Sequence, residues 1–137
     1  MKNMRIMVDT NVLISAILSP GSSPAESINT ILMKYRLVLC DQIEEELLDV
    51  FKRKFPDKVE DMEEFLTYLS YESVYTPQKI DRKQYPEIRD EKDLPILVSA
   101  ITSDVDYFIT GDKDFLVLNL ERPEIISVRE FLDQKHM

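Results

Sequence analysis

Short apolar runs of β character alternate along the chain with longer stretches of helical periodicity, and this alternation restricts the fold more than any other feature. The runs are Met4-Arg5-Ile6-Met7-Val8, Leu37-Val38-Leu39-Cys40, Tyr107-Phe108-Ile109 and Ile125-Ile126-Ser127-Val128. Ser73-Val74-Tyr75-Thr76, just ahead of Pro77, adds a candidate edge strand. Strands separated by helices pair in parallel and are covered on both faces, so the expected class is α/β with a mostly parallel central sheet. With 137 residues, the chain has the length of one domain, expected to span residues 1–137.

The intervening stretches carry their own start and stop signals. Val12-Leu13-Ile14-Ser15-Ala16-Ile17-Leu18 suits a helix packed on a sheet, and Ser19-Pro20-Gly21-Ser22-Ser23 breaks it. Ser23 ahead of Pro24 reads as the cap of a second helix, with Ile28, Ile31, Leu32 and Tyr35 on its apolar side. Asp41 and Glu44 have the spacing of a capping box at the head of a third, striped by Ile43, Leu47, Val50 and Phe51, with Lys52-Arg53-Lys54 in its last turn. A further amphipathic helix covers residues 57–69. Residues 78–92 are polar and charged and read as irregular structure; an apolar helix then begins behind Asp93 as its cap, with Pro95 in the first turn.

Four acids share one topological property. The first strand ends on Asp9-Thr10-Asn11, and the run through Ile109 ends on Thr110-Gly111-Asp112; Asp93 opens a buried helix, and Glu46 lies about a turn into the helix after the second strand. In a doubly wound sheet the carboxyl ends of strands and the amino ends of the following helices face one edge, so Asp9, Glu46, Asp93 and Asp112 are expected to converge there. The chain has one His and one Cys. That excludes an ordinary Cys/His zinc site and an intrachain disulfide, and leaves Cys40 as a small buried hydrophobe. Hard oxygen ligands select Mg2+ or Mn2+, and the expected chemistry is metal-assisted hydrolysis at phosphorus, which requires no nucleophilic side chain. His136, near the carboxyl end, is not expected to act as a base.

Each acid also has a purely structural reading. Asp93 as a helix cap contributes about 0.5–2 kcal/mol, and Asp9 and Asp112 are residues that turns favour. Asn11 and Thr110 either close turns or orient carboxylates. Asp114 is a solvated loop acid or an outer ligand, and Asp90 reads as an exposed or ion-paired acid. Lys79, Arg82, Lys83 and Arg89 read as solvated cations, with steering of phosphate as the alternative.

The formal net charge of −9 argues against a strongly basic nucleic-acid surface, although acids gathered around divalent cations overstate the repulsion that a polyanion meets. No apolar run approaches the roughly 18–20 residues of a membrane span, and Met1-Lys2-Asn3 leads into the first strand without a secretory signal, so a cytoplasmic location is expected.

Val8-Asp9-Thr10-Asn11-Val12-Leu13-Ile14, the Glu46-Leu47 pair, Asp93 ahead of an apolar helix, and Tyr107-Phe108-Ile109-Thr110-Gly111-Asp112-Lys113-Asp114-Phe115 together resemble a PIN-domain nuclease, in order and across the chain. The chain is similar to the branch assigned as toxins of bacterial toxin-antitoxin pairs. The resemblance implies a three-layer α/β/α fold and a Mg2+- or Mn2+-dependent ribonuclease acting on single-stranded RNA, with the family's four acids carried onto Asp9, Glu46, Asp93 and Asp112 and a supporting polar residue onto Asn11. It also implies dimerisation or a higher homo-oligomer, and neutralisation by a small antitoxin. Two competitors stand beside it. One is a catalytically silent PIN-like scaffold that binds RNA or protein. The other is a phosphatase with an aspartyl nucleophile, which wants a second aspartate two positions after the first, where this chain has Asn11.

Overall fold

Consecutive residues of a strand point to opposite faces of the sheet, yet Ile6, Met7 and Val8 are all fully buried, so the first strand is covered on both sides. The computed structural model describes residues 4–134. β1 (Arg5–Val8) is the centre of five parallel strands, flanked by β2 (Arg36–Cys40) and β4 (Tyr107–Ile109), with β3 (Tyr71–Val74) and β5 (Glu124–Ile126) outermost. The helices are α1 (Thr10–Leu18), α2 (Ser23–Lys34), α3 (Asp41–Lys54), α4 (Val59–Tyr68), α5 (Leu94–Thr102), α6 (Lys113–Leu116) and α7 (Val128–Asp133). They complete the three-layer α/β/α architecture, and Leu13, Ile31, Ile43, Leu47, Phe51, Ile96 and Phe131 are fully buried in the core.

The chain moves outward from β1 through β2 to β3, then returns to lay β4 on the other side of β1. The strand order therefore reverses between β1 and β4, and such a switch point opens a crevice beyond the strand ends. Val8 is level with Ile109, so Asp9 and Thr110 leave the sheet side by side.

Tertiary contacts change several of the expected helix ends. Ser22, not Ser23, caps α2: its hydroxyl accepts the Ala25 N–H, which leaves Ser23 and Pro24 inside the first turn. No capping box forms at α3, because Asp41 already lies within the helix. Thr76 supplies the cap from outside: its hydroxyl accepts the Gln42 N–H at 3.0 Å, while Asp41 accepts the Thr76 N–H at 2.8 Å. Thr76 is thereby drawn out of the sheet, and β3 pairs from Tyr71 to Val74 rather than from Ser73 onward. Glu44 instead accepts the Tyr71 hydroxyl at 2.5 Å and the Ser73 hydroxyl at 3.2 Å, tying α3 to β3.

Asp93 occupies the cap position of α5 without bonding an N–H there. The capping falls to Asp90, which accepts the Lys92 N–H at the head of the 3-10 turn Glu91–Asp93. Cys40 is buried at the end of β2, as expected. Among the described residues no helix is long and apolar enough to cross a membrane. A groove of about 510 Å³ between α1, α2 and α4 has Ala16, Ile28 and Phe65 in its lining and Asp61 and Glu64 beside them.

The short α6 is anchored by Phe115, whose ring meets Phe108 edge-on at 5.0 Å and 74°. Truncating a fully buried phenylalanine costs about 3–5 kcal/mol, and Phe115→Ala is expected to lose that much in urea unfolding without a change in slope. A loss below about 1 kcal/mol would show that α6 is not held through the core.

Candidate metal centre

Asp9 is the only buried acid among the described residues, with 5% of its surface exposed. One carboxylate oxygen accepts the Thr10 N–H at 2.8 Å and the other accepts the Thr110 hydroxyl at 2.8 Å. The Thr110 hydroxyl oxygen accepts the Asp112 N–H at 3.0 Å. A single threonine thus links the acids that follow the two central strands.

The Thr10 hydroxyl donates to Glu46 at 2.9 Å, and the second Glu46 oxygen accepts from the Gln42 amide at 3.0 Å. The same amide nitrogen donates to the Lys92 carbonyl at 2.9 Å, immediately before Asp93. Helix α3 therefore fixes both Glu46 and the approach to α5. Asp112 accepts the Asp114 N–H at 2.9 Å and so caps the turn that leads into α6.

Asp9, Glu46 and Asp112 are held by neutral donors, while the Asp93 carboxylate accepts no hydrogen bond among the described residues. Asp9, Glu46, Asp93 and Asp112 form no ion pair with any Lys or Arg among the described residues. Burial pushes the Asp9 carboxyl from its ordinary 3.8 up to about 6; the bonds from Thr110 and Thr10 oppose the rise, and repulsion by Glu46 and Asp112 adds to it. Asp93 is pushed up to about 7, first by burial and then by Asp112, Asp9, Asp90 and Glu46. Mutual repulsion of this kind acts between acids that lie near one another.

The tightest group consists of Asp93, Asp112 and Asp114, each of which offers an oxygen within 4.8 Å of the other two. Asp9 and Glu46 stand outside this trio, joined to it through Thr10, Thr110 and Gln42. Asp114 also pairs with Arg89 at 2.9 Å. Asn11 is exposed in the first turn of α1 and its side chain has no hydrogen-bond partner among the described residues. His136 lies outside the described residues. The sequence reading did not single out Thr10 or Gln42. Gln42 had a signal, since it precedes Glu46 by four residues and so shares its helix face; Thr10 had none that distinguishes it from an ordinary turn residue.

The residues fit a hard divalent cation: the donors are all oxygen, the negative charge has almost no protein counter-charge, and two carboxyls have raised pKa values that a cation would lower. Asp93, Asp112 and Asp114 can each offer an oxygen to such an ion, and Asp9 and Glu46 are tied to that cluster through Thr110, Thr10 and Gln42.

Comparison with known proteins agrees with the fold. A family model described as "PIN domain" matches residues 5–114. No curated protein sequence matches the chain. Among solved structures, VapBC2 from Rickettsia felis, bound to a DNA fragment from their promoter, is similar with a TM-score of 0.66 and 18% identity over 90% of this chain and 97% of that one. DNA-bound VapBC from Salmonella typhimurium gives 0.64 and 15% over 91% and 98%. PAE2754 from Pyrobaculum aerophilum gives 0.61 and 13% over 97% and 90%.

A carboxyl with a higher pKa in the folded than in the unfolded chain makes the folded protein bind more protons between the two values. Its contribution to stability is therefore greatest below the unfolded value and falls as pH rises toward the folded one. For Asp9 that window runs from 3.8 to about 6, worth about 3 kcal/mol. Asp9→Asn, freed of the charge, is expected to melt above wild type at pH 8 in chelator and close to it at pH 4. An equal difference in Tm at both pH values would contradict this account of Asp9.

Proposed function

The chain belongs to the PIN domain family, and on that premise we propose that it is a metal-dependent endoribonuclease that hydrolyses phosphodiester bonds of single-stranded RNA. The observation that carries this reading is the close grouping of Asp93 and Asp112 with Asp114, to which Thr110 ties Asp9, with no Lys or Arg paired to Asp9, Glu46, Asp93 or Asp112 among the described residues. In this reading Asp9 is the central ligand and Asp93 and Asp112 are further ligands, with Asp114, which shares their cluster, as an outer one. Bound there, Mg2+ or Mn2+ supplies Lewis acidity that offsets phosphate charge and lowers the pKa of a water. Thr10 and Thr110 keep the buried Asp9 ionised by donating to it. Glu46, clamped by Thr10 and Gln42, retains lone pairs with which to orient the attacking water. Asn11 stands at the rim as a supporting polar group.

The likeness to VapBC structures supports a toxin of a toxin-antitoxin pair, acting in the cytoplasm as a homodimer or higher homo-oligomer. For the antitoxin, the groove between α1, α2 and α4 offers an apolar lining with Asp61 and Glu64 beside it. That chemistry suits an amphipathic helix flanked by basic residues.

The test is cleavage of a single-stranded RNA with Mn2+ or Mg2+, with chelator, and with the Asp9→Asn protein. Losing a group that merely supports a metal ligand costs 10–100-fold, so Asp9→Asn is expected to lose more than about 100-fold while keeping its fold, and chelator to stop wild-type cleavage. Unchanged cleavage by the variant would overturn the assignment. Wild-type protein that neither cleaves nor binds manganese at millimolar concentration would favour the silent scaffold.

A further inference from the structure

We propose that Arg89 grips a phosphate of the RNA at the entrance to the acidic centre; this rests on the nuclease reading above. Arg89 lies in the irregular segment between β3 and α5. Its Nε donates to Asp114 at 2.9 Å, and this is the guanidinium's one hydrogen bond among the described residues. The side chain of Asp114 is 17% exposed and that of Arg89 is 85% exposed. One edge of the guanidinium is therefore anchored on an acid of the metal centre, while Nη1 and Nη2 face solvent. A guanidinium matches phosphate through two parallel N–H bonds, and the free edge of Arg89 retains the donors for that contact.

Other arginines of the chain are used differently. Arg5 engages Glu72 through Nε and Nη2 and the Ser103 carbonyl through Nη1, and Arg122 spans Asp104 and Asp106. Those pairings consume the fork. An exposed ion pair contributes only about 0–1 kcal/mol, so stability gives little reason for holding Arg89 on Asp114. Placement gives a better one. In a chain of net charge −9, Arg89 is the only arginine or lysine among the described residues that pairs with an acid of the trio.

A cleft of about 410 Å³ beside the centre continues the path. Arg82, Lys83, Glu87 and Glu91 line it with Pro86, Ile88 and Leu94, and Leu94 directly follows Asp93. Arg82 pairs with Glu91 at 2.7 Å, so the cleft offers Lys83 for the backbone and apolar surface for a base.

The experiment compares wild type, Arg89→Ala and Arg89→Lys on a fluorogenic single-stranded oligoribonucleotide, with KM and kcat measured across a salt series. Mn2+ binding without RNA is followed by calorimetry. For Arg89→Ala the expectation is a KM about tenfold higher or more, kcat within about twofold of wild type, and a slope of log KM against log salt shallower by about 0.7, the signature of one lost phosphate contact. Mn2+ affinity is expected to hold or tighten, because a competing cation has left Asp114. Arg89→Lys should keep the salt slope and recover only part of the KM. Unchanged KM and slope in Arg89→Ala, with wild type active, would overturn this role alone. Weakened Mn2+ binding in step with KM would overturn it in favour of an arginine that merely organises the acids. Wild type inactive on RNA with Mn2+ would overturn the nuclease reading and this role with it.

Discussion

The structure turns on a buried carboxylate that no cation balances. Asp9 leaves the central strand at the point where the strand order reverses, and its two oxygens are met by an amide and a hydroxyl. Neutral donors of this kind hold a carboxylate in place without cancelling its charge, so its desolvation cost persists and surfaces as a raised pKa. A protein optimised only for stability would place an apolar or paired residue there. Retaining a group that opposes folding is the mark of a functional site, where local rules are broken for a gain elsewhere.

The neighbouring elements arrange themselves around that charge. Thr110 joins the ends of β1 and β4, Thr10 reaches across to α3, and Gln42 reaches from α3 to the carbonyl before Asp93. Helix α3 is in turn fixed at its head by Thr76 and on its flank by Tyr71 and Ser73. The phenol of Tyr71, pushed up to about 12 by burial and by Glu44, remains a donor in that contact. The acids are thus carried by rigid elements, and pre-organisation of this kind is what metal ligands need.

The sheet was legible in the sequence because β1, β2 and β4 are nearly continuous apolar runs, which a doubly covered parallel strand demands and a half-exposed one does not. From the strand order follows the edge to which Asp9 and Asp112 belong. What could not be read were contacts between residues far apart in the chain. Asp41 and Glu44 had the spacing of a capping box, yet Thr76, 35 positions from Asp41, took over the cap and freed Glu44 to bond β3. Asp93 had every local mark of a cap, but Asp90 fills that role one turn earlier. Topology resolves an edge of the sheet and not the few ångströms that bring Asp114 together with Asp93 and Asp112.

Whether these acids gather around a divalent ion is tested most simply by the anomalous scattering of a crystal grown with manganese. The account predicts a peak contacting the carboxylates of Asp93 and Asp112, at the end of the sheet where Asp9 and Thr110 emerge. A peak elsewhere, or none at millimolar manganese with all the acids in place, would contradict it.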